Sequence, residues 1–178
     1  MRDFVFSGKR VLVTGASRGI GWGIAMGFAR TGTGLIVLAV DEAIRGAAKD
    51  YAAEAGKPVA AHVCDIAGQA RVSAVMGEIG ALDVLINNAG FEQLTPVDEP
   101  GDAVEATFRK IIEINVMGTH YVTSTAVKTM ERGSRIVITA STFGKTAMRA
   151  LRAIAPQSTT VSASCERSPR NWGRRAST

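Results

Sequence analysis

Three glycines within seven residues, Gly15, Gly19 and Gly21, sit at the seam between an apolar run and an amphipathic one. Lys9 to Thr14 reads as a short buried strand. After the glycines, Ile20, Ile24 and Phe28 recur at four-residue spacing and mark one face of a helix. In such a junction Gly15 permits the tight turn and Gly21 lets the helix pack close to the sheet. Gly19 leaves the backbone bare at the helix N-terminus, where free N–H groups and the positive end of the helix dipole favour an anion. Strand, glycine turn and helix in this order form the context that a dinucleotide pyrophosphate requires. Gly15, Ser17, Arg18, Gly19, Ile20 and Gly21 are therefore the candidate contacts for one.

The rest of the chain extends the same alternation. Gly32 and Gly34 end the first helix, and Leu35 to Val40 is a continuous apolar run, the mark of a strand covered on both faces. A helix pattern follows from about Glu42 to Ala55. Pro58 to Cys64 reads as a third strand closed by Asp65, and Gln69 to Glu78 as a helix. Leu82 to Ile86 reads as a fourth strand. Past Pro96 and Pro100 a long helix fits residues 103–130, and Arg135 to Thr139 makes a fifth strand. Consecutive parallel strands need crossovers, which helices supply on both faces. The expected fold class is α/β, a doubly wound parallel sheet.

The pattern stops after Gly144. Residues 1–144 hold 14 Lys+Arg against 15 Asp+Glu, whereas residues 145–178 hold 7 against 1, so the whole net charge of +5 comes from the last 34 residues. Domain organisation is accordingly expected as 1–144, a dinucleotide-binding unit, and 145–178, an irregular, basic, serine-rich tail. A basic tail can mark a nucleic-acid or anionic-membrane contact; neither partner is expected here. Apolar residues make up 46% and charged residues 21% of the chain, which excludes wholly disordered and collagen-like chains. No apolar run is long enough for a membrane helix, and Met1 to Ser7 does not read as a signal peptide. Cys64 and Cys165 form no CxxC pair, which suits two unrelated thiols in a reducing cytoplasm. No metal site is expected.

Four motifs in register resemble the short-chain dehydrogenase/reductases. They are the glycine turn after the first strand, Asn87-Asn88-Ala89-Gly90 after the fourth, Asn115 in Ile114-Asn115-Val116-Met117-Gly118, and Ser141 in Ile136-Val137-Ile138-Thr139-Ala140-Ser141. The resemblance implies a Rossmann fold, incomplete at the C-terminus. It implies NAD or NADP as cofactor, a small alcohol or carbonyl compound as substrate, and homo-oligomers among full-length relatives. Asp65 and Ile66 would hold the adenine ring, although Asp65 also suits a helix N-cap. Asn87, Ala89 and Gly90 would line the cofactor floor. Asn115 would hold a water in a proton relay, or serve as a satisfied structural asparagine. Ser141 would hydrogen-bond the substrate oxygen, unless it is an ordinary turn serine. Counted from Gly21, Ala39 stands where NAD enzymes carry an acid, and Asp41 lies two residues later. Arg18, and less readily Arg45, would instead suit a 2′-phosphate. The choice between NAD and NADP stays open.

One departure from the family matters most. Its members carry a tyrosine base followed four residues later by a lysine. Tyr51 and Tyr121 are followed at that spacing by Ala55 and Thr125. At the family's distance from Ser141 stand Ile154 and Ser158, so both groups are missing. The genetic code offers a reason. Let each codon start on the third base of the codon as written. Ala153-Ile154 (GCN-ATH) then permits TAT, tyrosine, and Gln157-Ser158 (CAR-AGY) permits AAG, lysine. Cys165 through Thr178 permit Arg-Ala-Leu-Ala-Thr-Glu-Leu-Gly-Pro-Gln-Gly-Ile-Asn. That string resembles the family's next helix and turn, with the leucine across Asn171-Trp172 and the glycine across Trp172-Gly173 forced by the code. The expectation is a one-nucleotide deletion between the codons for Gly144 and Ala153. The chain would then be a C-terminally truncated, frameshifted oxidoreductase, inactive as written. The alternatives are a cofactor-binding remnant without catalysis, or a basic-tail binder of nucleic acid or membrane.

Overall fold

Every strand pairing among the described residues is parallel, and the order across the sheet is β3-β2-β1-β4-β5. The strands are β1 (Arg10–Thr14), β2 (Gly34–Ala39), β3 (Ala60–Val63), β4 (Val84–Asn87) and β5 (Arg135–Ile138). The helices are α1 (Gly19–Ala29), α2 (Ala43–Ala55), α3 (Gln69–Ile79), α4 (Asp102–Ile112) and α5 (Thr119–Ala126), with a π-helical turn, Glu113–Gly118, joining the last two. The computed structural model describes residues 6–96, 98 and 101–141. Cys165, Ile154, Ser158 and the division of the chain at residue 144 lie outside them.

Strand side chains alternate between two layers, as a period of two requires. Val11 and Val13 of β1 pack with Leu35 and Val37 of β2 against Ala25 of α1 and Ile44, Ala48 and Tyr51 of α2. Leu12 and Leu85 turn the other way, onto Val72, Val75 and Met76 of α3 and Val122 and Ala126 of α5. Covering both faces explains why β1 and β2 are continuous apolar runs: Val11, Leu12, Val13 and Val37 are wholly buried. The doubly wound sheet read from the sequence is the observed one.

From β1 the chain builds outward to β2 and β3, then returns to the other side for β4 and β5. The carboxyl ends of β1 and β4 therefore part at a topological switch point, where open sheets of this kind form a crevice. At the opposite end Asp83 ties the two strands together. Its carboxylate accepts the Arg10 N–H at 2.8 Å and the Lys9 ammonium at 2.8 Å. Those donors hold its pKa below the usual aspartate value, the backbone bond from Arg10 foremost.

Two sequence expectations change. The single helix over 103–130 is broken by the π-helical turn and ends at Ala126. A hydrophobic pattern does not register one inserted residue, and such turns mark places where a helix must re-aim a side chain. Asp65 does not cap α3, whose N-cap is Gly68; its Oδ1 instead accepts the N–H of Ala67 at 3.0 Å in a local turn. No helix among the described residues is long and apolar enough to cross a membrane.

Candidate functional site

The glycine turn is built by close approach. Gly15 has φ +65°, and a Cβ there would lie 2.7 Å from Cα of Ala89. A Cβ on Gly21 would lie 2.1 Å from the carbonyl oxygen of Gly15 and 2.5 Å from Nδ2 of Asn88. The first turn of α1 thus rests on the loop before it and on the segment after β4. Gly19 differs: it is exposed, has φ +61°, and a Cβ there would meet nothing within 4 Å. Its N-cap neighbour Arg18 makes no side-chain cap, and the first turn of α1 holds no acid. Four backbone N–H groups at a helix start need partners from outside the helix, so this end is open to an anion.

Thr14, Asn88 and Tyr51 hold the turn in place. Thr14, buried at the end of β1, accepts the N–H groups of Asn88 and Ala89, each at 3.0 Å, through its hydroxyl oxygen. The amide of Asn88 donates to the carbonyls of Thr14 (3.2 Å) and Gly15 (3.4 Å). From α2, the hydroxyl of Tyr51, wholly buried, donates to the Ala16 carbonyl at 2.5 Å. Burial and the nearby Asp50 carboxylate raise the Tyr51 pKa well above its ordinary value. The hydroxyl therefore stays protonated as a donor.

β4 leads into the second wall. Asn87 turns its amide away to Thr123 of α5, at 2.8 Å, and braces the sheet. Ala89 and Gly90 present little bulk. Asn115 on the π-helical turn clasps the next residue at both ends: Phe91 donates its N–H to Oδ1 at 2.7 Å, and Nδ2 donates to the Phe91 carbonyl at 2.9 Å. Of the two readings of Asn115, a relay-water holder or a satisfied structural asparagine, its amide here makes the contacts of the second, holding this loop. The Lys110 ammonium sits 4.7 Å from the centre of the Phe91 ring. Gly118, at the end of the turn, lies against Ile66; a Cβ there would be 2.6 Å from Ile66 Cγ1.

These walls enclose a cleft of ≈ 720 Å³ at the switch point. Gly15, Ser17, Arg18, Ile20, Gly21, Asp41, Asp65, Ile66, Asn87, Ala89, Gly90, Asn115 and Ser141 all line it. Of the sequence candidates among the described residues, Gly19 and Arg45 are not among the lining residues; Gly19 stands exposed at the start of α1. Cys64 also borders the cleft, with its thiol pKa raised chiefly by burial. Thr139, Ala140 and Ser141 follow β5 along the rim, and Thr139 donates its N–H to the Asn87 carbonyl at 2.8 Å. Beyond β2, Arg18 and Asp41 form an ion pair at 3.2 Å, with Arg18 81% exposed. Such a pair contributes only about 0–1 kcal/mol. Oδ1 of Asp41 is buried and has no hydrogen-bond partner. Arg45, the other basic candidate, pairs with Glu42 at 2.6 Å.

The model of the short chain dehydrogenase family matches residues 9–153. The chain belongs to that family. Among its relatives, galactitol 2-dehydrogenase of Agrobacterium fabrum is 33% identical over 141 residues, covering 77% of this chain and 54% of the relative. L-fucose dehydrogenase of Bos taurus is 32% identical over 143 residues, covering 78% and 50%. The chain therefore spans about half the length of these relatives. Among solved structures, NAD⁺-bound xylitol dehydrogenase superposes with a TM-score of 0.80 at 30% identity, covering 89% of this chain and 62% of that one. A short-chain dehydrogenase of Shigella flexneri complexed with NADP gives a TM-score of 0.83 at 24% identity, covering 90% and 70%, and attests the shared fold.

Proposed function

We propose that the cleft binds a nicotinamide dinucleotide, and that the protein this chain derives from moves a hydride between it and a small alcohol or carbonyl compound. The carrying observation is the convergence of the glycine turn, the Asn87–Gly90 segment, Asn115 and Ser141 on one cleft at the switch point. The residues fit such a group. The uncapped start of α1 and the open space at Gly19 suit a pyrophosphate. Asp65 and Ile66 border the adenine end, and Ala89 and Gly90 leave width for a ribose. Bound there, the nicotinamide supplies or accepts the hydride. The chain's own residues bind and orient: Ser141 donates a hydrogen bond to the substrate oxygen, and Asn115 holds the Phe91 loop in place as a positioning residue.

The chain as written does not turn over. Acid–base help is worth about 10²–10⁴-fold, and neither Ser141 nor Asn115 supplies a proton of suitable acidity. The shifted frame of the tail permits the missing Tyr-x3-Lys pair at the family's distance from Ser141. This supports a one-nucleotide deletion between the codons for Gly144 and Ala153, with the residues before it the family portion and those after it its out-of-frame product. The chain is then a cofactor-binding remnant of an active enzyme.

The experiment restores one nucleotide between the codons for Gly144 and Ala153. The repaired protein is expected to change the absorbance of a reduced nicotinamide across a panel of ketones and secondary alcohols. Ser141→Ala should depress that rate severely, and Gly19→Val should abolish dinucleotide binding while the fold persists. Robust turnover by the unrepaired chain would refute the frame assignment; unchanged binding by Gly19→Val would refute the site.

A further inference from the structure

We infer that Tyr51 is a positioning residue for dinucleotide binding: by holding the Ala16 carbonyl it aims the Ser17 N–H into the cleft, at an oxygen of the cofactor's phosphoribosyl segment. The inference rests on the dinucleotide reading of the cleft.

Two successive peptide planes of the glycine turn are held differently. In the plane between Gly15 and Ala16 both polar groups are engaged. The Gly15 carbonyl accepts the Asn88 amide at 3.4 Å, and the Ala16 N–H donates to the Leu38 carbonyl at 3.2 Å. That plane is pinned by β2 on one side and by the segment after β4 on the other. In the plane between Ala16 and Ser17 only the carbonyl is engaged. The Tyr51 hydroxyl donates to it at 2.5 Å, and among the described residues the Ser17 N–H has no partner.

The described residues contain no cis peptide bond. In a planar trans peptide the C=O and the following N–H point in opposite directions. The Ala16 carbonyl points toward α2, into a core where Ala16 and Tyr51 are both wholly buried. The Ser17 N–H therefore points away from α2, and Ser17 borders the cleft. One hydroxyl thus sets the direction of one free donor. The ring that carries it is seated independently, within the core cluster of β1, β2, α1 and α2 and 6.2 Å from the Trp22 ring. Removing the hydroxyl alone leaves the ring in place and releases the plane from its one side-chain tether among the described residues. The plane is then free to turn about its flanking bonds, and the Ser17 N–H loses its aim.

The test measures binding, so it does not require turnover. The full 178-residue chain, isotope-labelled, is titrated with NADH and followed by nicotinamide fluorescence and by the Ser17 amide resonance. Tyr51→Phe is expected to bind NADH roughly tenfold more weakly, the scale of one well-placed hydrogen bond, and to show a smaller Ser17 shift at saturation than the original chain. Asp83→Asn weakens the fold from the opposite end of the sheet and should keep the original affinity and the full Ser17 shift, which separates aim from stability. If Tyr51→Phe fails to fold, a Tyr121→Phe chain carrying meta-fluorotyrosine at Tyr51 keeps ring and hydroxyl, and its fluorine resonance should move with the Ser17 amide as NADH binds. An affinity unchanged by Tyr51→Phe, an equal loss in Asp83→Asn, a Ser17 amide that NADH leaves in place or an unmoved fluorine resonance would overturn the inference and leave the dinucleotide reading standing. Failure of the original chain to bind NADH would overturn both.

Discussion

Helix α1 contains four glycines, and substituting three of them by alanine should separate helix propensity from close packing. Gly→Ala inside a helix ordinarily stabilises by about 0.8–1.0 kcal/mol. At Gly23 and Gly27 a Cβ would meet nothing within 4 Å, so Gly23→Ala and Gly27→Ala should each approach that gain. At Gly21 the same methyl would stand 2.1 Å from the Gly15 carbonyl oxygen, itself in a tight turn, and 2.5 Å from the Asn88 amide. Real Cβ contacts below 3.0 Å essentially do not occur, so helix and loop must separate by roughly 1 Å, an overpacking cost of about 1–3 kcal/mol. Gly21→Ala should therefore come out net destabilising, opposite in sign to its two neighbours. Urea unfolding of the three variants at constant m measures this through the midpoint, and a nicotinamide titration should show Gly21→Ala binding weakly. A Gly21→Ala chain as stable as the original would refute the close approach of helix and glycine turn.

Tyr51→Phe should cost about 1–3 kcal/mol by leaving the buried Ala16 carbonyl unmet. The folded Tyr51 pKa is raised, so its contribution is whole below the unfolded value and is lost as pH rises beyond it; Tyr51→Phe should flatten the alkaline limb of a stability profile, and an unchanged limb would count against the buried hydroxyl. For Asp83 the sign reverses: its folded pKa is depressed, so its contribution is whole above the unfolded carboxylate value and is lost as pH falls through the folded one. Asp83→Asn should weaken the protein near neutrality and flatten the acid limb, read by thermal melts between pH 2 and 7. The outer edge of β5 is unpaired among the described residues, and Val137 is 47% exposed. Val137→Lys should raise the monomer fraction in size-exclusion chromatography, because a lysine blunts strand-to-strand association; an unchanged elution profile would speak against edge pairing.

The strands and the glycine turn were legible because their signals are local. Leu35 to Val40 is apolar throughout only because both faces of β2 are covered, and its limits moved by one residue, to Gly34–Ala39. The fourth strand shifted further, to Val84–Asn87, because Leu82 is buried ahead of the strand and Asp83 turns back to Arg10. What escaped depends on long-range geometry. Arg18 and Asp41 are 23 residues apart and meet only once β1 and β2 pair. Thr14 at the end of β1 and Asn88 just past β4 come together from distant parts of the chain. The π-helical turn left faint marks, an asparagine and a glycine at positions 115 and 118, where a helix of good formers would carry neither. Tyr51 stands in the sequence only as a tyrosine with no lysine four residues on, and nothing in its neighbours signals that its hydroxyl reaches the glycine turn.

β1 is made early and stands in the middle of the sheet. Each strand synthesised after it is laid on from outside, first along one flank and then along the other. The order of synthesis is therefore also an order of depth, and mutational damage to the gene acquires a direction. A frame change near codon 20 would erase the centre on which everything else is stacked. One falling after codon 141 leaves the central strands, both helical layers and the floor of the cleft as they were encoded. A lineage can lose the chemistry of such a protein in a single step and keep the vessel that held it.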